Sequence, residues 1–352
     1  MLTYLNGPES DPFNYIYSSD EWLYGYDPPR PFPFWVNLEP TNHCQLDCLF
    51  CSRQKSTRRL GFLDLDLARA IFGEMSLWPG SAVRLAGWGE PFLHPKLPSL
   101  CAMAKEAGVA VKIYTNGQKM DRRTLSALID SEVDEIQFSF QGLNEKQYHF
   151  NRVGGRHARL AQNIELAHDL RGRRPRPFLS ALTSVLADEL AQASPQAFCD
   201  RWLGLVDKVA IDLTNLNFVS DLPRVQPFLP RQSEGLRRGR CVDVFLALEV
   251  KYDGTIEFCG QDANSRPEHT AGRFPALSLK EAWDGEPLAA QRDRVGRALG
   301  HESSPVCRNC YHNTNKYDLF KNLSAGPSPA GQSPAGPNPA GSNPTDPEGT
   351  NP

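Results

Sequence analysis

Apolar and polar positions follow two alternating periods along the first two thirds of the chain. Runs of β-branched and aromatic residues bounded by turn residues predict six strands, over residues 34–38, 82–85, 109–114, 135–140, 177–185 and 208–213. Apolar residues at helical spacing predict helices between them, over residues 64–75, 95–106, 122–131, 157–171 and 188–203. This alternation is typical of a parallel sheet, which the right-handed crossover rule curls into a barrel or an open horseshoe.

The pattern changes after about residue 220, where three prolines punctuate a connector. A hairpin is predicted over residues 245–252 and 255–258, turning at Asp253-Gly254, and a helix over residues 279–298. We therefore predict a second, small α+β unit over residues 221–323. Residues 1–33 are Pro-rich and predict an extended lead-in, and residues 324–352 have too few apolar residues to fold and predict a disordered tail.

Composition excludes several classes of protein. The 38 Lys and Arg residues nearly balance the 41 Asp and Glu residues, so the chain does not have the charge of a nucleic-acid binder. No apolar run approaches the roughly 20 residues that span a bilayer, and the first residues lack the basic and apolar regions of a signal peptide. We expect a cytoplasmic protein without a membrane partner.

The nine cysteines are unevenly placed. Three lie within residues 44–51 and four between residues 241 and 310. Because the cytosol keeps thiols reduced, metal binding or redox chemistry explains such groups better than disulfides do. Cys101 and Cys199 stand alone on helical apolar patterns and are expected in the core, with a role as hydrogen-donating thiols as the alternative.

The first group, Cys44, Cys48 and Cys51, follows the first predicted strand directly. Three thiolates on a short loop can bind three irons of a cubane cluster and leave the fourth iron open for another ligand. A zinc site, with His43 as a fourth ligand, is the weaker alternative, because structural zinc usually takes paired Cys-x-x-Cys ligands.

Two motifs in register with these cysteines carry a resemblance to a known family. Phe50 precedes the third cysteine, and Gly87-Trp88-Gly89-Glu90-Pro91 follows the second predicted strand. Together they resemble the radical S-adenosylmethionine (SAM) superfamily, over roughly residues 34–220. The resemblance implies a partial (β/α)6 barrel, with a [4Fe-4S] cluster that binds SAM. Gly87, Gly89 and Pro91 would let the backbone approach the methionine part of SAM, and Glu90 would pair with its amino group.

The resemblance also implies three contacts at later strand ends. Asn116, in Thr115-Asn116-Gly117, would lie at the carboxyl rim of the barrel, although this tripeptide is also an ordinary turn. Ser139 matches the family position that contacts the SAM ribose, and Arg152 the position that pairs with its carboxylate. Each of these two residues is also compatible with a plain surface or capping role.

The second group combines Cys241, Gly254 and Cys259 with Cys307 and Cys310 as a Cys-x2-Cys pair. By spacing alone, four cysteines suit zinc and a fully ligated [4Fe-4S] cluster equally. The pattern resembles the Twitch form of the SPASM auxiliary domain, as in Twitch-containing dehydrogenases of aminoglycoside biosynthesis. That implies one auxiliary [4Fe-4S] cluster without an open iron, acting as an electron acceptor or as a structural element.

The resemblance implies that SAM is cleaved reductively and that the resulting 5′-deoxyadenosyl radical abstracts hydrogen from the substrate. Our first expectation is dehydrogenation of a small polar metabolite such as an aminocyclitol or sugar. The alternatives are a maturase that crosslinks or epimerises a ribosomal peptide and a non-catalytic electron carrier. A flavodoxin or ferredoxin is the expected electron donor, docking on a basic run after the first cysteine group. This run contains Arg53, Lys55, Arg58 and Arg59.

Overall fold

The computed structural model describes residues 2–5, 30–230, 241, 243–296, 305–308 and 310. Six parallel strands lie side by side in chain order and form the centre of a mixed α/β fold. They are β2 (Trp35–Leu38), β4 (Ala82–Leu85), β5 (Ala110–Thr115), β6 (Glu135–Gln141), β8 (Phe178–Val185) and β9 (Lys208–Leu213). Each predicted strand is found within one residue of its expected ends.

Helices connect these strands and cover one face of the sheet. They are α1 (Leu65–Met75), α2 (Leu97–Glu106), α3 (Arg122–Asp130), α4 (Glu145–Asn151), α5 (His157–Arg171), α6 (Ala187–Leu190) and α7 (Pro195–Trp202). The helix predicted over residues 188–203 is therefore two helices. Ser194 caps the second one and Pro195 starts it, which favours a new helix start at this point.

Alternate strand positions face the helices and form the main core. Val36, Val83, Val111 and Ile136 are completely buried there. The other face of the same strands points into the interior of the barrel and mixes polar side chains, such as Asn37 and Arg84, with apolar ones, such as Trp35 and Ala82. Polar side chains within a partly apolar interior are typical of a ligand site.

The sheet does not end where the second unit was predicted to begin. Strand β10 (Ala247–Val250) pairs parallel with β2, and β11 (Thr255–Glu257) and β12 (Thr270–Arg273) extend the sheet antiparallel beyond it. The expected hairpin is present, but its turn spans more than two residues, with Gly254 N–H donating to Lys251 O at 2.9 Å. The hairpin therefore belongs to the same sheet as the barrel.

Short elements complete the described part of the chain. Strand β1 (Leu2–Leu5) pairs antiparallel with β9, within the predicted lead-in, and β3 (Asp47–Cys48) pairs with β7 (Arg152–Val153). The last predicted helix is divided at Gly285 into α8 (Leu279–Asp284) and α9 (Glu286–Gly296), and α10 (Pro305–Arg308) follows. The tail predicted over residues 324–352 and most of the lead-in, residues 6–29, lie outside the described residues.

Candidate active site

The first cysteine loop is fixed by a small antiparallel pairing. Cys48 lies in β3 opposite Arg152 of β7, and the N–H of Leu49 donates to the carbonyl of Asn151 at 2.8 Å. The N–H of Cys51 donates to Cys48 O at 3.2 Å, which closes the turn between the second and third cysteines. The loop therefore has a defined backbone conformation, set by residues about a hundred positions later in the chain.

Burial makes the three thiols of this loop weakly acidic. It raises the pKa of Cys44 and of Cys48, and raises that of Cys51 to about 12. The positive charges of Arg152 and Arg53 oppose this effect at Cys48. Because metals bind the thiolate, metal binding here would release protons.

The Gly-Trp-Gly-Glu-Pro motif packs against the start of this loop. A Cβ on Gly89 would lie 2.0 Å from the carbonyl oxygen of Thr41, and one on Gly87, which has φ +135°, would lie 2.8 Å from Glu39 Cγ. The N–H of Glu90 donates to His43 O at 2.8 Å. The two glycines thus bring the motif against the backbone leading into the cysteines, and their contact with SAM stays a prediction.

Glu90, which follows β4, forms hydrogen bonds to the segments that follow β2 and end β5. Its buried carboxylate accepts hydrogen bonds from the hydroxyl of Thr115 at 2.7 Å, the N–H of Asn116 at 2.7 Å and the N–H of Phe92 at 3.1 Å. Burial raises its pKa against these hydrogen bonds. The side chain of Asn116 lies 3.8 Å from Cys44 Sγ, so the structure brings Glu90, Asn116 and the first cysteine together.

The other predicted SAM contacts lie at the end of β6. The guanidinium of Arg152 is 5.6 Å from the centre of the Phe50 ring and donates to Phe140 O at 3.5 Å. Ser139, the preceding residue of β6, is half-buried on its inner face. The structure therefore brings Arg152 and Phe50 of the cysteine loop to the end of β6, the strand that carries Ser139. Their roles toward SAM remain predictions.

One cavity of about 520 Å³ extends from the first cysteine loop into the barrel. Phe50, Cys51 and Trp88 line it, and so do Cys259 and Gly260. Polar side chains of the inner sheet face complete its wall, namely Asn37, Arg84, Tyr114, Gln141, Ser184, Asp212 and Glu249. Both cysteine groups thus contribute to a single cavity whose size suits a small ligand.

The second cysteine group is assembled from separate segments. Burial raises the pKa of Cys241 and of Cys259, and the neighbouring thiol of Cys310 raises both further. The N–H of Cys310 donates to Cys307 O at 3.1 Å. Cys241, Cys259 and Cys310 are therefore close enough to affect one another's pKa. Cys307 lies one turn of the chain before Cys310.

The position of Gly254, the glycine of the second cysteine pattern, requires a residue without a side chain. Gly254 has φ +86°, and a Cβ there would lie 2.6 Å from the carbonyl of Phe274. Only glycine allows the hairpin turn to approach β12 so closely.

The donor set fits clusters better than a single ion. Within the ranges that the structure describes, no three His, Cys, Asp or Glu side chains lie together closely enough to hold one metal ion. A cubane makes a different demand, because each thiolate binds its own iron. Three thiols beside an open cavity suit a cluster with one iron left for another ligand.

Three cations of the basic run after the first cysteines contact other groups of the protein. Arg58 pairs with buried Glu39, Arg53 donates to Leu46 O at 2.8 Å, and Lys55 pairs with Asp221. These contacts argue against the predicted docking role for three of the four cations. The electron donor stays a prediction without an assigned surface.

Cys101 and Cys199 are completely buried in the main core, on α2 and α7. Neither lines the cavity. The core role predicted for both is observed, and neither stands where a hydrogen donor would meet a substrate.

Two groups of residues were missed from the sequence. Glu39 accepts from the N–H of Trp88 at 3.2 Å and from Tyr252 N–H at 3.4 Å, and so connects the motif with the hairpin. Asn37 and Glu249 are neighbours across β2 and β10, and burial raises the pKa of Glu249 to about 7. A single polar residue on a strand forms no sequence motif. Only its place among the alternate strand positions that face inward would have drawn attention to it.

Comparison with known proteins agrees with this geometry. Residues 38–185 match the model of the radical SAM superfamily. This segment contains the cysteine loop, the Gly-Trp-Gly-Glu-Pro motif and four of the six central strands, and it begins at the last residue of β2. Residues 38–185 are a radical SAM domain. Proteins of this superfamily bind a [4Fe-4S] cluster and SAM.

Curated relatives of the chain that carries this domain differ in substrate. The chain is 25% identical to the PqqA peptide cyclase of Ruegeria pomeroyi in an alignment of 313 residues that covers 80% of each protein. It is 31% identical to the dTDP-4-amino-4,6-dideoxy-D-glucose ammonia-lyase of Streptomyces venezuelae over 186 residues, covering 51% of this chain and 36% of that one. The first match necessarily extends past residue 185 into the second cysteine region.

Solved structures share the fold at low identity. BtrN in complex with AdoMet and 2-DOIA has a TM-score of 0.51 at 16% identity, covering 79% of this chain and 93% of that one. AnSMEcpe with bound AdoMet and Cp18Cys peptide has a TM-score of 0.59 at 13% identity, covering 83% and 96%. In the described part of the radical SAM protein, no helix is long and apolar enough to span a membrane.

Proposed function

We propose that this radical SAM enzyme dehydrogenates a small polar metabolite, such as an aminocyclitol or a sugar. The observation that supports this proposal is the cavity, which Cys51 of the first cysteine group and Cys259 of the second both line. A substrate there would lie beside a cysteine of each group. A volume of about 520 Å³ that must also admit part of SAM leaves room for a small molecule.

In this proposal Cys44, Cys48 and Cys51 hold the first cluster. When bound, that cluster and SAM supply the radical that removes a hydrogen atom from the substrate. Asn116, Ser139 and Arg152 contact SAM at the strand ends. To complete the dehydrogenation, the substrate radical must release one proton and one electron. The four thiols of the second group, Cys241, Cys259, Cys307 and Cys310, would hold an auxiliary cluster able to take up that electron.

The inner sheet face selects the substrate. Its wall carries amide, hydroxyl and charged groups in adjacent strands, including Asn37, Gln141, Ser184 and Asp212. Such a wall offers hydrogen bonds to several hydroxyl or amino groups at once, and an apolar substrate could form none of them. A polyhydroxylated or aminated ring therefore suits the cavity.

Peptide modification is the second candidate. The similarity to PqqA peptide cyclase extends over 80% of the chain, and a structural neighbour holds the Cp18Cys peptide. In that case one peptide side chain would enter the cavity while the rest of the peptide stays outside.

Anaerobic reconstitution tests the proposal. We expect about eight irons per chain, because two cubanes need four each, and formation of 5′-deoxyadenosine under reducing conditions. Incubation with aminocyclitols, sugars and short peptides should give a small-molecule product lacking two hydrogens. Stoichiometric zinc without iron would contradict both candidates, and a modified peptide would decide for the second.

A further inference from the structure

Three side chains of the inner face form a continuous row along the cavity. Glu249 on β10 lies opposite Asn37 on β2, and Asn37 lies opposite Arg84 on β4. All three line the cavity. Because neighbouring strands run parallel and in register, their side chains emerge side by side at one level of the barrel.

The hydrogen bond between the first two residues fixes what they offer to a ligand. Asn37 Nδ2 donates to Glu249 Oε1. Rotating the amide by half a turn would set its oxygen against the carboxylate, so the observed orientation is the stable one. Asn37 Oδ1 is buried and has no hydrogen-bond partner among the residues that the structure describes. The pair therefore presents two acceptors, an amide oxygen and a carboxylate.

The charges around the cavity favour a cation. The carboxylates of Asp212, Asp243 and Glu249 line it, against the single guanidinium of Arg84. Arg84 is held against the ring of Trp35, with its central carbon 3.7 Å from the ring centre. The nearby ammonium of Lys251 pairs with Glu257 at 3.1 Å. The lining thus has more negative than positive charge.

We propose that Glu249 and Asn37 bind a protonated primary amine of the substrate. An ammonium has three N–H donors and no acceptor, so it satisfies both groups, and its charge complements the carboxylate. A hydroxyl brings one donor and no charge. The inference rests on the proposed function only in taking this cavity as the substrate site, and it narrows the substrate class to amines.

Binding without turnover tests this inference on the reconstituted protein, saturated with SAM and without reductant. The probes are three pairs that differ in one amine: ethanolamine and ethylene glycol, 2-aminocyclohexanol and 1,2-cyclohexanediol, and glucosamine and glucose. We expect the amine of at least one pair to bind about tenfold or more tightly than its hydroxyl partner, since charge-assisted hydrogen bonds are the stronger ones. No preference in any pair would overturn the inference.

Variants locate the preference. Glu249→Gln should reduce the difference in affinity between the amine and its hydroxyl partner to about twofold or less. Asn37→Ala should weaken the binding of the amine more than it weakens the binding of the hydroxyl compound. Gly73→Ala lies in α1, outside the cavity lining, and should keep both the affinities and the preference. A preference that survives Glu249→Gln in a folded protein, checked by its melting temperature, would refute the assignment. The amount of 5′-deoxyadenosine formed on adding reductant is measured separately, so a failed proposed function is distinguishable from a failed amine site.

Discussion

The two cysteine regions differ in how the chain brings their thiols together. Cys44, Cys48 and Cys51 occupy one loop of eight residues that follows a central strand. The second group is drawn from the segment before β10, from the end of β11 and from α10 with the residues after it. The first group is therefore visible as a local spacing, whereas the second exists only once the sheet and its helices have assembled.

The regions are nevertheless joined by buried contacts. Glu39 follows β2, accepts from the N–H of Trp88 in the first region and from Tyr252 N–H in the second, and pairs with Arg58. The sheet continues directly from β2 to β10. A local site and an assembled site thus share one structural support, and changes in the support should affect both.

Replacing one cysteine in each region gives the largest expected contrast. Cys48→Ala should abolish SAM cleavage and remove about half of the iron, because the first cluster loses one of its three ligands. Cys307→Ala should keep cleavage partly intact and abolish dehydrogenated product, because radical formation does not need the second group. Iron content, 5′-deoxyadenosine and product are measured on each variant.

The same two variants can also contradict the proposed difference in role between the two cysteine regions. If the second group only stabilises the fold, Cys307→Ala should lower cleavage, product and melting temperature together, since the metal-binding free energy is then folding free energy. That result would rule out an electron-accepting role and make the second region purely structural.

Gly89→Ala should have the next largest effect. The new Cβ would lie 2.0 Å from the carbonyl of Thr41 and 2.8 Å from Asn42 Cα, and backbone cannot move aside as a flexible side chain can. We expect SAM cleavage to fall on the order of a hundredfold, because misplacing a catalytic loop by about 1 Å has effects of that size. The second group should keep its iron.

Gly73→Ala is the matched control, because a Cβ there meets nothing within 4 Å and the position lies inside α1. Alanine in a helix should leave cleavage unchanged and raise stability by about 0.5–1 kcal/mol. Equal cleavage by the two variants would show that the motif does not position the first loop.

The sequence predicted most of the first region for physical reasons. The six central strands are rich in β-branched and aromatic residues and are bounded by turn residues, so they were found almost to the residue. The thiol spacing and the motif around Glu90 need no tertiary information. The predicted electron-donor surface stays a prediction, because the sequence shows that Arg53, Lys55 and Arg58 are charged but not which groups of the protein they contact.

Long-range connections in both regions were harder to predict. Strands of two residues, such as Asp47–Cys48 and Arg152–Val153, are too short to show a period. The parallel pairing of β10 with β2 joins residues more than two hundred positions apart, and no local pattern encodes it. Asn37 and Glu249 gain their meaning only from that pairing.

Arg58→Gln tests whether the shared support couples the regions. The Arg58 and Glu39 side chains are 10% and 2% exposed, so the substitution leaves a buried carboxylate without its cation. We expect a loss of about 3 kcal/mol in the free energy of unfolding, measured by denaturant titration, with less iron in both groups. Arg69→Gln removes a pair between exposed side chains and should change neither quantity. Iron loss from one group alone would show that the regions are independent.

The smallest effect concerns Glu189, which supports the first region indirectly. It is buried and accepts from Leu186 N–H at 2.8 Å and from the side chain of Asn151. The carbonyl of Asn151 in turn holds Leu49 N–H, between Cys48 and the third cysteine. The charge state of Glu189 should therefore affect the stability of the part of the fold that carries the first loop.

Burial raises the pKa of Glu189 from 4.5 to about 7, against the hydrogen bonds that lower it. The folded state thus holds this proton more tightly than the unfolded state does. Its contribution to stability is complete below pH 4.5 and is lost as pH rises through about 7, on the order of 3 kcal/mol. Glu189→Gln cannot ionise, so the fall in unfolding free energy between pH 5 and 8 should be smaller in the variant than in the wild type. The amide also replaces one acceptor by a donor, a cost that does not depend on pH, so the two pH slopes rather than the absolute stabilities are compared. Parallel slopes in denaturant titrations would show that Glu189 is ionised in the folded protein throughout this range, and that the first loop is supported without a buried proton.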